Sequence, residues 1–150
     1  MGDGMANLKF SGSDQLNEAF SKIHDMPFSV TEQALDAMAE VAASEIRSTG
    51  SYMGVRDEKS DVHILDKIVT KKAKKTEDGG RKAITFDGTR SRGRNGIKTR
   101  NAEIAFVNEY GKRGQPARPF IRTALEKNSE KISEPGEKII GDWIEENFNK

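Results

Sequence analysis

Residues 102–126 read AEIAFVNEYGKRGQPARPFIRTALE. Ile104 and Phe106 alternate with Ala105 and Val107, a two-residue period that predicts a β-strand over 102–109. Apolar side chains on both faces imply a central strand with something packed on each side. Gly111 and Gly114 let the chain leave the sheet sharply, while Pro116 and Pro119 stiffen the linker. Pro119 sits where the first turn of a helix tolerates proline. A helix is expected from there, with Phe120, Ile121, Ala124, Leu125 and Ile132 as its buried stripe.

Downstream, Pro135-Gly136 interrupts this helix, because proline removes a backbone donor and should kink or split it. Ile139, Ile140, Trp143, Ile144 and Phe148 form a second stripe. Upstream, Asp78-Gly79-Gly80 reads as a hairpin turn between an apolar run starting at Ile64 and a returning strand at 83–86, where Ile84 and Phe86 share a face. Between the hairpin and the strand at 102–109, DGTRSRGRNGIKTR (87–100) has three glycines, five basic residues and almost nothing to bury. Residues 87–101 are expected to form a mobile basic loop. Further upstream, Ala34, Leu35, Met38, Val41, Ala42 and Ile46 make a helical stripe. This predicts a helix at about 31–48, capped by Ser29 or Thr31 and ended by Gly50. Leu16, Ala19, Phe20 and Ile23 predict a shorter helix stopped by Pro27; Leu8-Lys9-Phe10 reads as an edge strand and residues 1–7 as disordered.

These elements define an α+β fold within a single domain spanning 1–150. A small antiparallel β-sheet of three to four strands carries an N-terminal amphipathic helix and a long, Pro-kinked C-terminal helix. The chain has 150 residues, 34% hydrophobic and 33% charged, against about 45–50% and 25% in typical domains. A thin core with long exposed stretches follows. Twenty-five basic and 24 acidic side chains nearly cancel, but unevenly. Residues 1–50 carry 3 basic and 8 acidic groups, net −5, whereas residues 67–100 carry 12 and 3, net +9. Such a basic middle suits a polyanion or an acidic partner surface.

Catalytic chemistry finds little support. Cysteine is absent, which excludes disulfides, thiolate nucleophiles and Cys-ligated metals. His24 and His63 form no helical pair, so neither a metal site nor a cofactor is expected. His63 reads better as a satisfied histidine than as a general base. Glu145-Glu146 reads as a solvated helix face. The glycines at 88, 93 and 96 do not form a phosphate-binding Gly-x-Gly-x-x-Gly between a strand and a helix. The expectation is a protein that is not an enzyme. The longest strictly apolar run is only Ile104 to Val107, and Met-Gly-Asp-Gly carries no signal-like region, so a reducing, soluble compartment and no membrane are expected.

The segment 102–126 resembles the siphophage tail-component family, the small neck or tail-completion proteins of bacteriophages with long non-contractile tails. The matching residues are Val107, Glu109, Tyr110-Gly111, Pro116-Ala117-Arg118-Pro119-Phe120, Arg122 and Ala124-Leu125. The family's Val-Glu-Phe-Gly appears as Val107-Asn108-Glu109-Tyr110-Gly111, one residue longer, which bears on the local strand register. Outside 102–126 the likeness is architectural only.

The resemblance implies a structural virion protein of the head–tail junction, assembled in the host cytoplasm. Several copies would form a ring joining the portal-connector stack to the tail tube. The expected partners are the chain itself, a head-completion or connector protein, and a tail-terminator or tail-tube protein, with non-specific contact to DNA in the channel. The subunit-interface candidates are Tyr110, Gly111, Arg118, Phe120 and Arg122. An extended backbone between two prolines should hold the Arg118 guanidinium outward, ready for a carboxylate. Candidates for contact with DNA or an acidic partner are Lys71, Lys72, Lys74, Lys75, Arg90, Arg92 and Arg94. The rival reading is a small nucleic-acid-binding module using the basic hairpin and loop at 71–100. Against it, no aromatic residues interleave with the basic run to stack on bases.

Overall fold

A computed structural model describes residues 21, 23–57, 63–92 and 95–148, the side chain of Arg92 excepted. The edge strand expected at 8–10, the disorder expected at 1–7 and most of the first expected helix lie outside the described residues.

Helix α1 spans Phe28–Tyr52 and buries Ala34, Ala39, Ala42, Ile46 and Gly50 along one stripe. It is longer than the 31–48 expected. Its N-cap is Pro27, with no side-chain cap, so neither Ser29 nor Thr31 takes that role. Gly50 does not end it. A Cβ at Gly50 would stand 2.6 Å from Leu65 Cδ2 and 3.0 Å from Phe120 Cδ2, so this glycine lets two core side chains lie against the helix. The stop comes at Met53, whose N–H donates to the Thr49 carbonyl, followed by Gly54 at φ 68°.

A 3₁₀ turn at Ile64–Lys67 leads into a β-ribbon. Strand β1 (Ile68–Thr70) pairs antiparallel with β4 (Ile84–Phe86), and β2 (Lys74–Thr76) with β3 (Gly79–Arg81). The register shifts by one residue between the two ladders. Three residues, 71–73, face two, 82–83, which is a β-bulge. A second hairpin joins β5 (Thr89–Arg92) to β6 (Ile97–Arg100). Within 87–101, expected as a mobile basic loop, the described residues 89–92 and 97–100 thus form a two-stranded ladder.

The main correction falls on residues 102–109. They are not a strand: helix α2 runs from Asn101 to Tyr110. Its buried residues are Asn101, Ile104, Ala105, Asn108 and Glu109, a helical spacing in which three of five side chains are polar. Those polar groups are buried because each is hydrogen-bonded. Asn108 accepts from Arg56 N–H at 2.8 Å and donates to the carbonyls of Arg56 and Ile104, both at 3.0 Å. With no strand here, the described residues form three two-stranded ladders in place of the expected sheet of three to four strands, and the fold remains α+β.

Helix α3 (Phe120–Lys127) and helix α4 (Ser129–Phe148) complete the described chain. They break at Asn128, upstream of the Pro135-Gly136 pair expected to kink or split the helix. The Asn128 side chain and N–H both donate to the Ala124 carbonyl, closing α3, while its own carbonyl accepts from Ile132 and opens α4. Pro135 lies inside α4, which runs on through it. Gly136 sits against Met38 and Ala34 of α1. The core gathers Ile46, Leu65, Ile68, Phe86, Ile104, Phe120 and their neighbours. The Phe86 and Phe120 rings meet edge to face, with centroids 6.0 Å apart.

Candidate docking groove

The segment after α2 is built by its glycines and prolines. Gly111 has φ 77° and ψ 173°, a region open to glycine almost alone. Lys112 and Gln115 exchange backbone hydrogen bonds around Gly114, at φ 80°. Pro119 (φ −74°, ψ 65°) centres an inverse γ-turn, with Phe120 N–H donating to the Arg118 carbonyl at 2.7 Å. The Arg118 N–H in turn donates to the Asn108 carbonyl at 2.6 Å. Helix α3 therefore starts at a fixed place beside α2. Glu109 closes the junction: Oε2 accepts from Ile121 N–H at 2.8 Å and Oε1 from Arg122 N–H at 3.1 Å. The carboxylate satisfies two free donors of the helix N-terminus and faces its positive pole.

This arrangement leaves an open groove of about 820 Å³ between α2 and α3, floored by β4. Phe86, Ala105, Ile121 and Pro119 line its inner wall, and Phe106, Tyr110 and Leu125 its mouth. Phe106 is 61% exposed and Tyr110 69%, with ring centroids 4.6 Å apart one helical turn from each other. Large apolar side chains left exposed in one contiguous patch mark an interaction surface. Arg122 and Glu126 add one charge of each sign.

The interface candidates divide on this geometry. Tyr110 and Arg122 line the groove, and Gly111 holds the turn beside it. Phe120 is fully buried against Phe86, so it belongs to the core and is withdrawn as a contact residue. The Arg118 guanidinium is not wholly outward as expected: its Nη1 is buried, with no hydrogen-bond partner among the described residues. Sequence reading missed Phe106, Leu125 and Glu109 as makers of the site. Their signal is the helical spacing of 101, 104, 105, 108 and 109, which turns 106 and 110 outward together.

The basic candidates also divide. Lys71, Lys72, Lys74 and Lys75 are exposed on the β1–β4 ribbon. Arg90 is turned inward, its guanidinium held by Asp57 and Asn101, and is corrected from a partner contact to a structural one. The side chain of Arg92 and the whole of Arg94 lie outside the described residues. Both His63 ring nitrogens are engaged. Nδ1 accepts from Leu65 N–H at 3.2 Å, and Nε2 lies 3.1 Å from the Val55 carbonyl, which places the proton on Nε2.

Among the described residues, no group of three or more His, Asp or Glu side chains could hold a metal ion, and no helix is long and apolar enough to cross a membrane. Comparison with known protein families, with characterised proteins and with solved structures finds no match to this chain.

Proposed function

We propose that this chain is a structural assembly protein of a tailed bacteriophage, acting at the head–tail junction as a neck or tail-completion component. The carrying observation is that six of the residues behind the resemblance, Glu109, Tyr110, Ala117, Pro119, Arg122 and Leu125, line one apolar groove. Its lining has aromatic and aliphatic groups at the mouth and a carboxylate already committed to backbone donors. That chemistry suits protein docking better than catalysis. In a ring, the occupant is a neighbouring copy, and a head-to-tail contact of this kind closes when its rotation divides a full turn. The remaining faces meet a connector protein on the head side and a terminator or tube protein on the tail side. The rival nucleic-acid module loses part of its surface, because Arg90 is spent on an internal ion pair.

The test is electron microscopy of particles made by the parent phage with this gene interrupted. DNA-filled heads beside separate tails support the junction. Heads beside missing or misshapen tails move the protein into tail assembly, and intact joined virions overturn the reading.

A further inference from the structure

We propose that the bulge in the β1–β4 ribbon is a binding site for the phosphodiester backbone of nucleic acid. In a regular ribbon, consecutive residues such as Lys71 and Lys72 point to opposite faces. Here the extra residue breaks the alternation. Lys71, Lys72 and Lys74 all line one hollow of about 240 Å³, together with Arg81, Lys82 and Ala83. Five cationic residues line this space, largely through their aliphatic stems, and so hold their charges around one hollow the size of a compact anion. Among the described residues, no carboxylate lines it. Among the described residues, only Lys82 of the five is neutralised, by Asp36 at 2.7 Å. The ribbon's own carboxylates, Glu77 and Asp78, sit beyond the hollow in the hairpin turn.

The ribbon is held in place. Gly80 lies so close to α1 that a Cβ there would come within 3.0 Å of Phe28 and Thr31. The Lys82–Asp36 pair fastens the same strand region to the same helix. Cations presented on a fixed support lose less freedom on binding than those on a loose loop. Their mutual repulsion is left for an outside anion to relieve.

The lining also selects the class of anion. Its sole uncharged member is Ala83, so it offers no apolar anchor of the kind protein interfaces centre on. It has no aromatic ring on which a base could stack. Contacts to phosphate without base reading fit both facts. A two-stranded ribbon is also narrow enough for the major groove of B-form DNA. The site stands apart from the junction reading, which rests on the groove and on particle morphology.

The experiment is fluorescence anisotropy of the purified full chain with a duplex of about 30 base pairs of unrelated sequence, across a range of salt. Replacing Lys72, Lys74 and Arg81 together by serine should lower the slope of log affinity against log salt by about 2 to 3. The melting curve should not change, since all three side chains are exposed. Ala83→Glu, which places a carboxylate in the hollow, should weaken binding about tenfold, while Ser91→Glu, the same charge change on β5, should stay within about twofold. Equal losses from Ala83→Glu and Ser91→Glu would overturn the site, because net charge alone would then explain binding. An unchanged slope in the triple variant would overturn it too. Polyglutamate displacing the protein as well as DNA of equal charge would reassign the hollow to an acidic protein surface. None of these outcomes bears on whether particles lacking the protein join.

Discussion

Asp57 and Arg90 meet inside the protein, with Arg90 Nη1 2.7 Å from Oδ1 and 2.8 Å from Oδ2. The Asp57 side chain is fully buried. Its Oδ2 also accepts from Ile64 N–H at 2.8 Å, and Arg90 Nε donates to Asn101 Oδ1 at 2.7 Å. Asn101 passes the link to the Asp87 carbonyl at 2.6 Å. One ion pair thus ties the root of the β5–β6 hairpin to the 3₁₀ turn and to the start of α2. Removing one partner strands the other charge, a loss of about 3–5 kcal/mol. Arg90→Ser should lower the unfolding free energy by that amount in a urea titration. Tests of the hairpin as a contact surface should therefore leave Arg90 in place.

Glu109 fixes the angle between α2 and α3 through two backbone donors. Glu109→Ala leaves both unpaired and only partly open to water, and should cost about 1–2 kcal/mol. Glu109→Gln keeps one acceptor and turns its amide donor toward the second N–H. It should fall between wild type and Glu109→Ala in thermal melts, and the reverse order would deny the capping role.

Gly111 and Gly114 both have positive φ but differ in surroundings. A Cβ at Gly111 would stand 2.7 Å from the Ala117 backbone nitrogen, whereas nothing lies within 4 Å at Gly114. Gly111→Ala should destabilise by about 3 kcal/mol, combining strain with a backbone clash. Gly114→Ala should lose only about 1 kcal/mol, from strain alone. Chemical denaturation of the two variants side by side checks the difference.

Phe106 and Leu125 at the groove mouth are exposed, so serine at both should change monomer stability by less than about 1 kcal/mol. Each truncation of a buried interface anchor costs about 2 kcal/mol or more, roughly thirtyfold in affinity. Particles carrying Phe106→Ser with Leu125→Ser should accumulate as separate heads and tails. Normal joining would show that the groove does not hold the ring together.

Where hydropathy and burial agree, the elements were legible. The α1 stripe is apolar and small, and glycine at 79 and 80 marks the hairpin. Helix α2 was illegible for the opposite reason. Its buried positions 101, 108 and 109 are Asn, Asn and Glu, while Phe106 and Tyr110 on its outer side are aromatic. Hydropathy thus reported the exposed groove mouth and concealed the core side. Each buried polar group answers to a backbone partner distant in sequence, such as Arg56 for Asn108. No local pattern encodes such pairings. The same holds for Arg90, whose carboxylate lies 33 positions away. The bulge depends on a one-residue mismatch between strand lengths, which composition does not register.

The packing of Gly136 against Met38 joins chain segments on the order of a hundred residues apart. Synthesis runs from the N-terminus at about 5–20 residues per second. Helix α1 therefore leaves the ribosome seconds before α4, its stripe around Ala34 and Met38 still uncovered. A nascent chain ending before α4 keeps that surface bare and invites chaperones and proteases. Incomplete copies are thereby exposed to removal before they accumulate.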